Sequence, residues 1–460
     1  MRIESINPAT EELLASFDEI NSQELDRRVT HASEAFRSWR KVPISDRARC
    51  MNRMSEYLLA HKEKLARIAT VEMGKPIRQS LAEVEKCALG CRFYAENGER
   101  FLASTPIETG SAQSYVEFDP VGIVLAIMPW NFPFWQVFRF AAPALVAGNV
   151  ALLKHAPNVP QSAIAIEHAF REVGFPEHVF QTLLVGVPAV ERIIADDRVQ
   201  AITLTGSELA GSKVAESSGR HLKKTVLELG GSDPFIVLSD ADVDAAAACG
   251  ALARNQNGGQ SCIAAKRFIV LETVADKFMA ALTRHVEDLR TGDPEDPATD
   301  VGPLARSDLR EKLEDQVERS VRAGARVVTG GTRLSRKGYF YAPTILTDLS
   351  RDAPVLKEET FGPVAPIIRV KDLQSAVALA NDTHFGLGAS LWTRDMSLAR
   401  EIARELETGM VFVNGMVASD PRLPFGGVKR SGYGRELSDF GIREFTNIKT
   451  VSLANSVSKA

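Results

Sequence analysis

Cys262 closes the run Gly258-Gly259-Gln260-Ser261-Cys262, a glycine-rich stop after a helix-length segment and before an apolar strand-length one. A thiol on such a loop can be exposed while a rigid scaffold holds it, and as a thiolate it attacks carbonyl carbon. The competing reading is an inert buried cysteine, which its surroundings must decide. Glu228 ends an apolar run immediately before Gly230-Gly231. An acid there is either half of a structural ion pair or a general base whose pKa burial has raised. Asn131 stands between Pro129-Trp130 and Phe132-Pro133, so the flanking prolines restrict the backbone around it. Its amide is either a local turn bond or a pre-aimed donor to a developing oxyanion. Lys154 ends a very apolar run, which puts its charge either in solvent or at the carboxyl edge of a sheet, where open α/β folds bind ligands. Thr205-Gly206-Ser207 makes a strand-to-helix turn in which glycine lets a ligand approach and the helix start offers N–H groups to a phosphate.

These side chains need a scaffold, and the hydrophobic pattern supplies one. Helical spacing covers 25–39, 44–67 and 69–102, the last in one or two pieces. From 121 the chain alternates short apolar runs (121–127, 150–154, 181–185, 201–205, 225–229) with helix-length stretches such as 134–147 and 161–173. Strands alternating with helices imply right-handed crossovers and a parallel sheet buried on both faces. A second series follows, with strands at 235–238, 267–271, 327–328, 364–370, 389–392 and 410–413 and helices at 243–256, 274–289, 307–323 and 373–380. The turn-forming run 230–234 between the two series is the expected hinge. Two polar strand-like pieces, 114–118 and 447–453, fit neither sheet and suit edge pairing, for instance with another subunit's strand.

Composition narrows the function. The 460 residues are 45% hydrophobic and 25% charged, with a formal net charge of −4, which leaves no electrostatic footprint for nucleic acid or an anionic membrane. The N-terminus lacks the apolar core of a secretory signal and the apolar tracts are too short or too interrupted to span a bilayer, so a cytoplasmic protein is expected. Five cysteines in so long a chain do not build a disulfide scaffold. Cys87 and Cys91 share a helix face, where they suit buried small residues better than a metal site. No zinc spacing, P-loop or GxGxxG run is present, and no metal is expected.

Five motifs in order, Pro-Trp-Asn-Phe-Pro (129–133), Leu-Glu-Leu-Gly-Gly (227–231), Gly-Gln-Ser-Cys (259–262), Glu-Glu-Thr-Phe-Gly-Pro (358–363) and Pro-Phe-Gly-Gly-Val-Lys (424–429), resemble the aldehyde dehydrogenase superfamily along essentially the whole chain. The resemblance implies an α/β fold with a Rossmann-like parallel-sheet cofactor domain (1–112 and 122–229), a second α/β catalytic domain (230–440) and a small β oligomerisation arm (113–121 and 441–460). It implies that Cys262 attacks the aldehyde, that Asn131 and the Cys262 N–H hold the oxyanion, and that Glu228 activates the water that hydrolyses the thioester. Trp130, Lys154, Gly206, Ser207, Glu359 and Phe361 would contact the cofactor. Pro157 stands where NAD-preferring members commonly carry a glutamate, so nothing there repels a 2′-phosphate, and use of NAD and NADP is expected in either order of preference. A homodimer or homotetramer is expected.

Arg139, eight residues after Asn131, and the run Asn-Phe-Pro-Phe-Trp-Gln-Val-Phe-Arg (131–139) resemble the succinate-semialdehyde dehydrogenases, particularly a bacterial branch that also carries Lys-His-Ala-Pro-Asn (154–158) and Gly-Gly-Ser-Asp-Pro (230–234). If Arg139 faces the pocket, its planar fork suits a substrate carboxylate. Gln256 replaces a second arginine seen in some members, which leaves Ser419 to assist, with Trp135 and Phe132 as walls. The competing readings are a broad-specificity aliphatic or aromatic aldehyde dehydrogenase with a structural Arg139, a CoA-acylating enzyme, and a catalytically silent binding protein.

Overall fold

The computed structural model describes residues 2–454. Two parallel-rich sheets carry the molecule. The first has six strands, in the order Gly432–Tyr433, Lys224–Glu228, Val199–Thr205, Ile123–Met128, Val150–His155 and Phe180–Thr182. All neighbours are parallel except Gly432–Tyr433, which runs antiparallel to Lys224–Glu228. Ile123–Met128 and Val150–His155 are apolar on both faces because helices cover both sides. The second sheet has seven strands, in the order Arg326–Thr329, Thr344–Thr347, Val364–Val370, Arg267–Leu271, Pro234–Val237, Gly388–Trp392 and Met410–Val413.

The N-terminal helices divide differently from expectation. They are Ser22–Trp39, Ile44–Ala60, Lys62–Met73 and Ile77–Phe101. The predicted 69–102 helix is broken because Gly74 takes a left-handed conformation (φ 79°) that caps one helix and Pro76 starts the next. The pattern also omits the hairpin Arg2–Ile6/Leu13–Asp18, the helices Val187–Ala195, Glu208–Arg220 and Met396–Glu405, and the strand Thr344–Thr347.

The division into domains needs two corrections. The second sheet's last strand ends at Val413, and the chain then returns to the first sheet through Gly432–Tyr433, so 230–440 is too long for the second unit. The helix Ser438–Glu444 packs against Trp135–Ala147 and Ile77–Phe101. The arm begins earlier than 113, since Thr105–Pro106 pairs with Gln113–Pro120, which pairs in turn with Thr446–Leu453. The expected arm residues 455–460 lie outside the described residues. The 230–234 crossover is tied down as well: the Asp233 carbonyl accepts from the N–H groups of Lys266 (2.9 Å) and Arg267 (3.2 Å), and Lys266 Nζ donates to the Gly231 carbonyl (2.7 Å). An expected hinge is therefore a cross-braced junction.

Candidate active site

Cys262 follows a turn of unusual backbone. Asn257, Gly258 and Gly259 are successively left-handed (φ 56°, 62° and 72°) after the helix Val243–Asn255. A Cβ on Gly259 would stand 2.3 Å from the Gly362 carbonyl oxygen, so only glycine fits there. The turn's polar groups are met from several directions. Asn257 N–H donates to Gln79 Oε1 (2.7 Å), Arg254 donates to the Gly259 and Ala265 carbonyls (2.6 and 3.2 Å), and Gln260 Oε1 accepts from Ala305 N–H (2.9 Å). Cys262 thus rests on a hydrogen-bonded platform. Burial pushes the Cys262 thiol up to about 12, with Arg139 and Lys266 acting in the opposite direction.

Asn131 touches this platform directly. Its side-chain amide donates to the Gln260 carbonyl (3.1 Å) and its backbone carbonyl accepts from Asn257 Nδ2 (2.7 Å). One amide N–H is thereby engaged and the other remains to donate beside Cys262. The turn that carries Asn131 is set by Glu83, whose Oε1 accepts from the N–H groups of Phe134 and Trp135 (both 2.9 Å) at the start of Trp135–Ala147. Lys75 neutralises that buried carboxylate and lies over the Phe132 ring (3.9 Å).

Two cavities meet at Cys262. The larger, about 330 Å³, is lined by Trp130, Asn131, Gly206, Ser207, Glu359, Phe361 and Cys262. These were predicted apart in sequence and the fold gathers them. A Cβ on Gly206 would meet nothing but its neighbour Leu204 (3.4 Å), so this glycine leaves room for a ligand and the residues fit a nucleotide cofactor. Ser207 caps Glu208–Arg220 by accepting from Ala210 N–H (3.3 Å). Phe361 and Trp130 stand edge to face (5.7 Å). Glu359 Oε1 accepts from Lys266 Nζ (2.7 Å) and Gly231 N–H (3.1 Å), and Lys266 also holds the Cys262 carbonyl (2.9 Å). Lys154 and Pro157 lie further along the same sheet edge, outside the cavity, where burial lowers the Lys154 ammonium against the opposing pull of Glu19.

The second cavity, about 200 Å³, reaches Cys262 from the other side and is lined by Phe132, Trp135, Arg139, Gln256 and Ser419, all five predicted substrate residues, together with Lys86. Arg139 does reach this wall, but not as a free cation. Its guanidinium forms an ion pair with Glu436, both side chains nearly fully buried, donates to Thr205 Oγ1 (3.3 Å) and lies over the Phe425 ring (4.5 Å). Glu228 lines neither cavity. Its carboxyl is 2% exposed and has no hydrogen-bond partner, and burial together with the nearby Glu436 carboxyl holds it well above the usual carboxylate range.

The chain matches the aldehyde dehydrogenase family over residues 1–451. The chain belongs to the aldehyde dehydrogenase family. Among its relatives, a Mycobacterium tuberculosis protein named succinate-semialdehyde dehydrogenase (NADP+) 1 is 50% identical over 457 residues, covering 99% of this chain and 100% of that one. A Synechocystis protein named "Probable succinate-semialdehyde dehydrogenase (NADP+)" is 51% identical over 454 residues, again covering 99% and 100%. The crystal structure of succinic semialdehyde dehydrogenase from Streptococcus pyogenes in complex with NADP+ superimposes with a TM-score of 0.96 at 38% identity, covering 98% of this chain and 100% of that one. This oxidoreductase carries two cavities that share Cys262 in their lining. Lys86, Lys266, Glu83, Arg254 and Glu436 are absent from the sequence-based site, since each stands in a segment that reads as an ordinary helix, strand start or loop.

Proposed function

We propose that this aldehyde dehydrogenase oxidises succinic semialdehyde to succinate, with NADP+ as its preferred acceptor. The observation that carries the reading is the cation-lined cavity that opens onto Cys262 opposite the cofactor cavity. The names of its half-identical relatives agree. Cys262 attacks the carbonyl carbon as thiolate, forming a thiohemiacetal whose oxyanion takes the free Asn131 amide N–H and the Cys262 N–H. Lys154, Gly206, Ser207, Glu359, Trp130 and Phe361 hold the dinucleotide, and exposed Pro157 presents no charge against a 2′-phosphate. A nicotinamide held there would supply the two-electron oxidation as hydride acceptor. Water hydrolyses the Cys262 thioester, and Glu228 serves as its base once its carboxyl, whose protonated form burial favours, turns toward the cysteine and gives up its proton. The arm supports a homodimer or homotetramer: its edge strand Thr446–Leu453 exposes Ile448 (65%) and Leu453 (47%). No helix among the described residues is long and apolar enough to cross a membrane, and we place the enzyme in the cytoplasm.

The test compares kcat/KM for succinic semialdehyde and for butanal, its chain-matched uncharged analogue, with NADP+ and NAD+ at matched concentrations. A preference of at least tenfold for the carboxylated aldehyde and for NADP+ is expected. Equal values for the two aldehydes would establish a broad-specificity enzyme instead.

A further inference from the structure

Lys86 is the cation of the second cavity that has no carboxylate of its own. Among the described residues no Asp or Glu oxygen lies within 4 Å of its Nζ in an ion pair, whereas Arg139 is compensated by Glu436. The other charged groups around Lys86 are engaged elsewhere. Glu83 is bound by Lys75 and two helix N–H groups, and Asp420 is bound by Arg422 (2.6 Å). Lys86 Nζ donates to Ser419 Oγ (2.5 Å) and stands over the Trp135 ring (4.7 Å). Trp135 Nε1 donates to the same Ser419 oxygen (3.1 Å). With both lone pairs of Ser419 used, its hydroxyl proton is left to donate to whatever enters. The three side chains belong to separate parts of the chain, and all three line the cavity that ends at Cys262.

We infer that Lys86, with the Ser419 hydroxyl, is the anchor for the substrate carboxylate, and that Arg139 is a positioning residue of the wall. The inference rests on the proposed succinic semialdehyde reading. An ammonium is a point donor that can give one N–H to Ser419 and the others to a carboxylate, without the geometric demand of a guanidinium fork. Burial and the neighbouring Arg139 charge bring the Lys86 ammonium down to about 8, while Cys87, Glu83 and Asp420 oppose that fall. A bound carboxylate stabilises the charged form and pulls it back up. Anchoring is therefore present below about pH 8 and lost as pH rises through that value.

The experiment measures kcat/KM for succinic semialdehyde and butanal between pH 6.5 and 9.5 with wild type, Lys86→Met and Lys86→Arg. The Met variant keeps the apolar stem over Trp135 while removing the charge. The wild-type ratio of the two substrates, in which the shared chemistry cancels, should fall above about pH 8. Lys86→Met should lose about 10- to 100-fold on succinic semialdehyde, mainly through KM and at least tenfold more than on butanal, with a pH-independent ratio. Lys86→Arg should recover part of the loss. A wild-type ratio that favours succinic semialdehyde yet stays flat with pH, or is unchanged in Lys86→Met, would overturn the Lys86 assignment and leave the substrate standing. A wild type that does not distinguish the aldehydes overturns the substrate reading itself. Should the Met variant not fold, the wild-type pH profile decides alone.

Discussion

Replacing Arg139 by Met separates a carboxylate anchor from a structural cation. In the structure Arg139 and Glu436 are 2% and 4% exposed and form an ion pair, and the guanidinium also bonds Thr205 and covers Phe425. Removing the cation leaves Glu436 buried without a countercharge, beside a Glu228 carboxyl whose protonated form burial and Glu436 favour. Breaking one half of a buried pair costs about 3–5 kcal/mol. The variant should therefore unfold several degrees earlier and lose kcat/KM by comparable factors on succinic semialdehyde and butanal. A second replacement, Glu436→Met, removes the stranded carboxyl, so the double variant should regain most of the stability and show a coupling energy of about 2 kcal/mol or more in the cycle. Thermal unfolding followed by circular dichroism and parallel initial rates give both readouts. An Arg139→Met enzyme as stable as wild type that loses activity on succinic semialdehyde alone would refute the pairing argument and make Arg139 the anchor.

Other expectations follow from single contacts. Asn131→Ala should lower kcat by about 10²–10³, the usual cost of one oxyanion donor, while inactivation by iodoacetamide shows that Cys262 is still accessible. In Gly259→Ala the new Cβ meets the Gly362 carbonyl at 2.3 Å with φ at 72°, so the nucleophile turn must move; a thermal midpoint equal to wild type would contradict this rigidity. Since burial holds the Cys262 thiol up to about 12, alkylation of the cofactor-free enzyme should rise about tenfold per pH unit from 6.5 to 9. A plateau near pH 8 would mean that the thiolate forms far more easily. Pro157→Glu should cut kcat/KM with NADP+ roughly tenfold or more and spare NAD+, because a carboxylate there opposes the 2′-phosphate.

The central strands of both sheets were legible because they are short runs that are apolar on both faces, as in Ile123–Met128 and Phe268–Val270 within Arg267–Leu271, whereas Thr344–Thr347 and the two-residue Gly432–Tyr433 were not. Cys262, Asn131 and Gly206 were legible for another reason: glycines and prolines mark turns that must exist wherever they sit. The helices Val187–Ala195 and Glu208–Arg220 were not: the first is only nine residues long, and Gly211 and Gly219 interrupt the pattern of the second while tertiary contacts hold it helical. Glu436 and Lys86 were illegible for a physical reason of the same kind. A glutamate near the end of the chain and a lysine on a long charged helix acquire meaning when the fold sets them beside Arg139 and Ser419.

Arg139 also ties the two carboxyls together. One buried guanidinium can compensate one carboxylate, and Glu436 is the one in contact with it. Glu228 is left with burial and a like-charged neighbour, both of which favour its protonated form, and burial favours the protonated form of Cys262 in the same way. Burial thus favours the proton on both Cys262 and Glu228 in the ligand-free protein. In the proposed mechanism both must lose it, so a Glu436→Gln variant, by removing the like charge, should lower the pH at which Glu228 ionises and move the acidic limb of the kcat profile down. An unmoved limb would separate Glu436 from the protonation of Glu228.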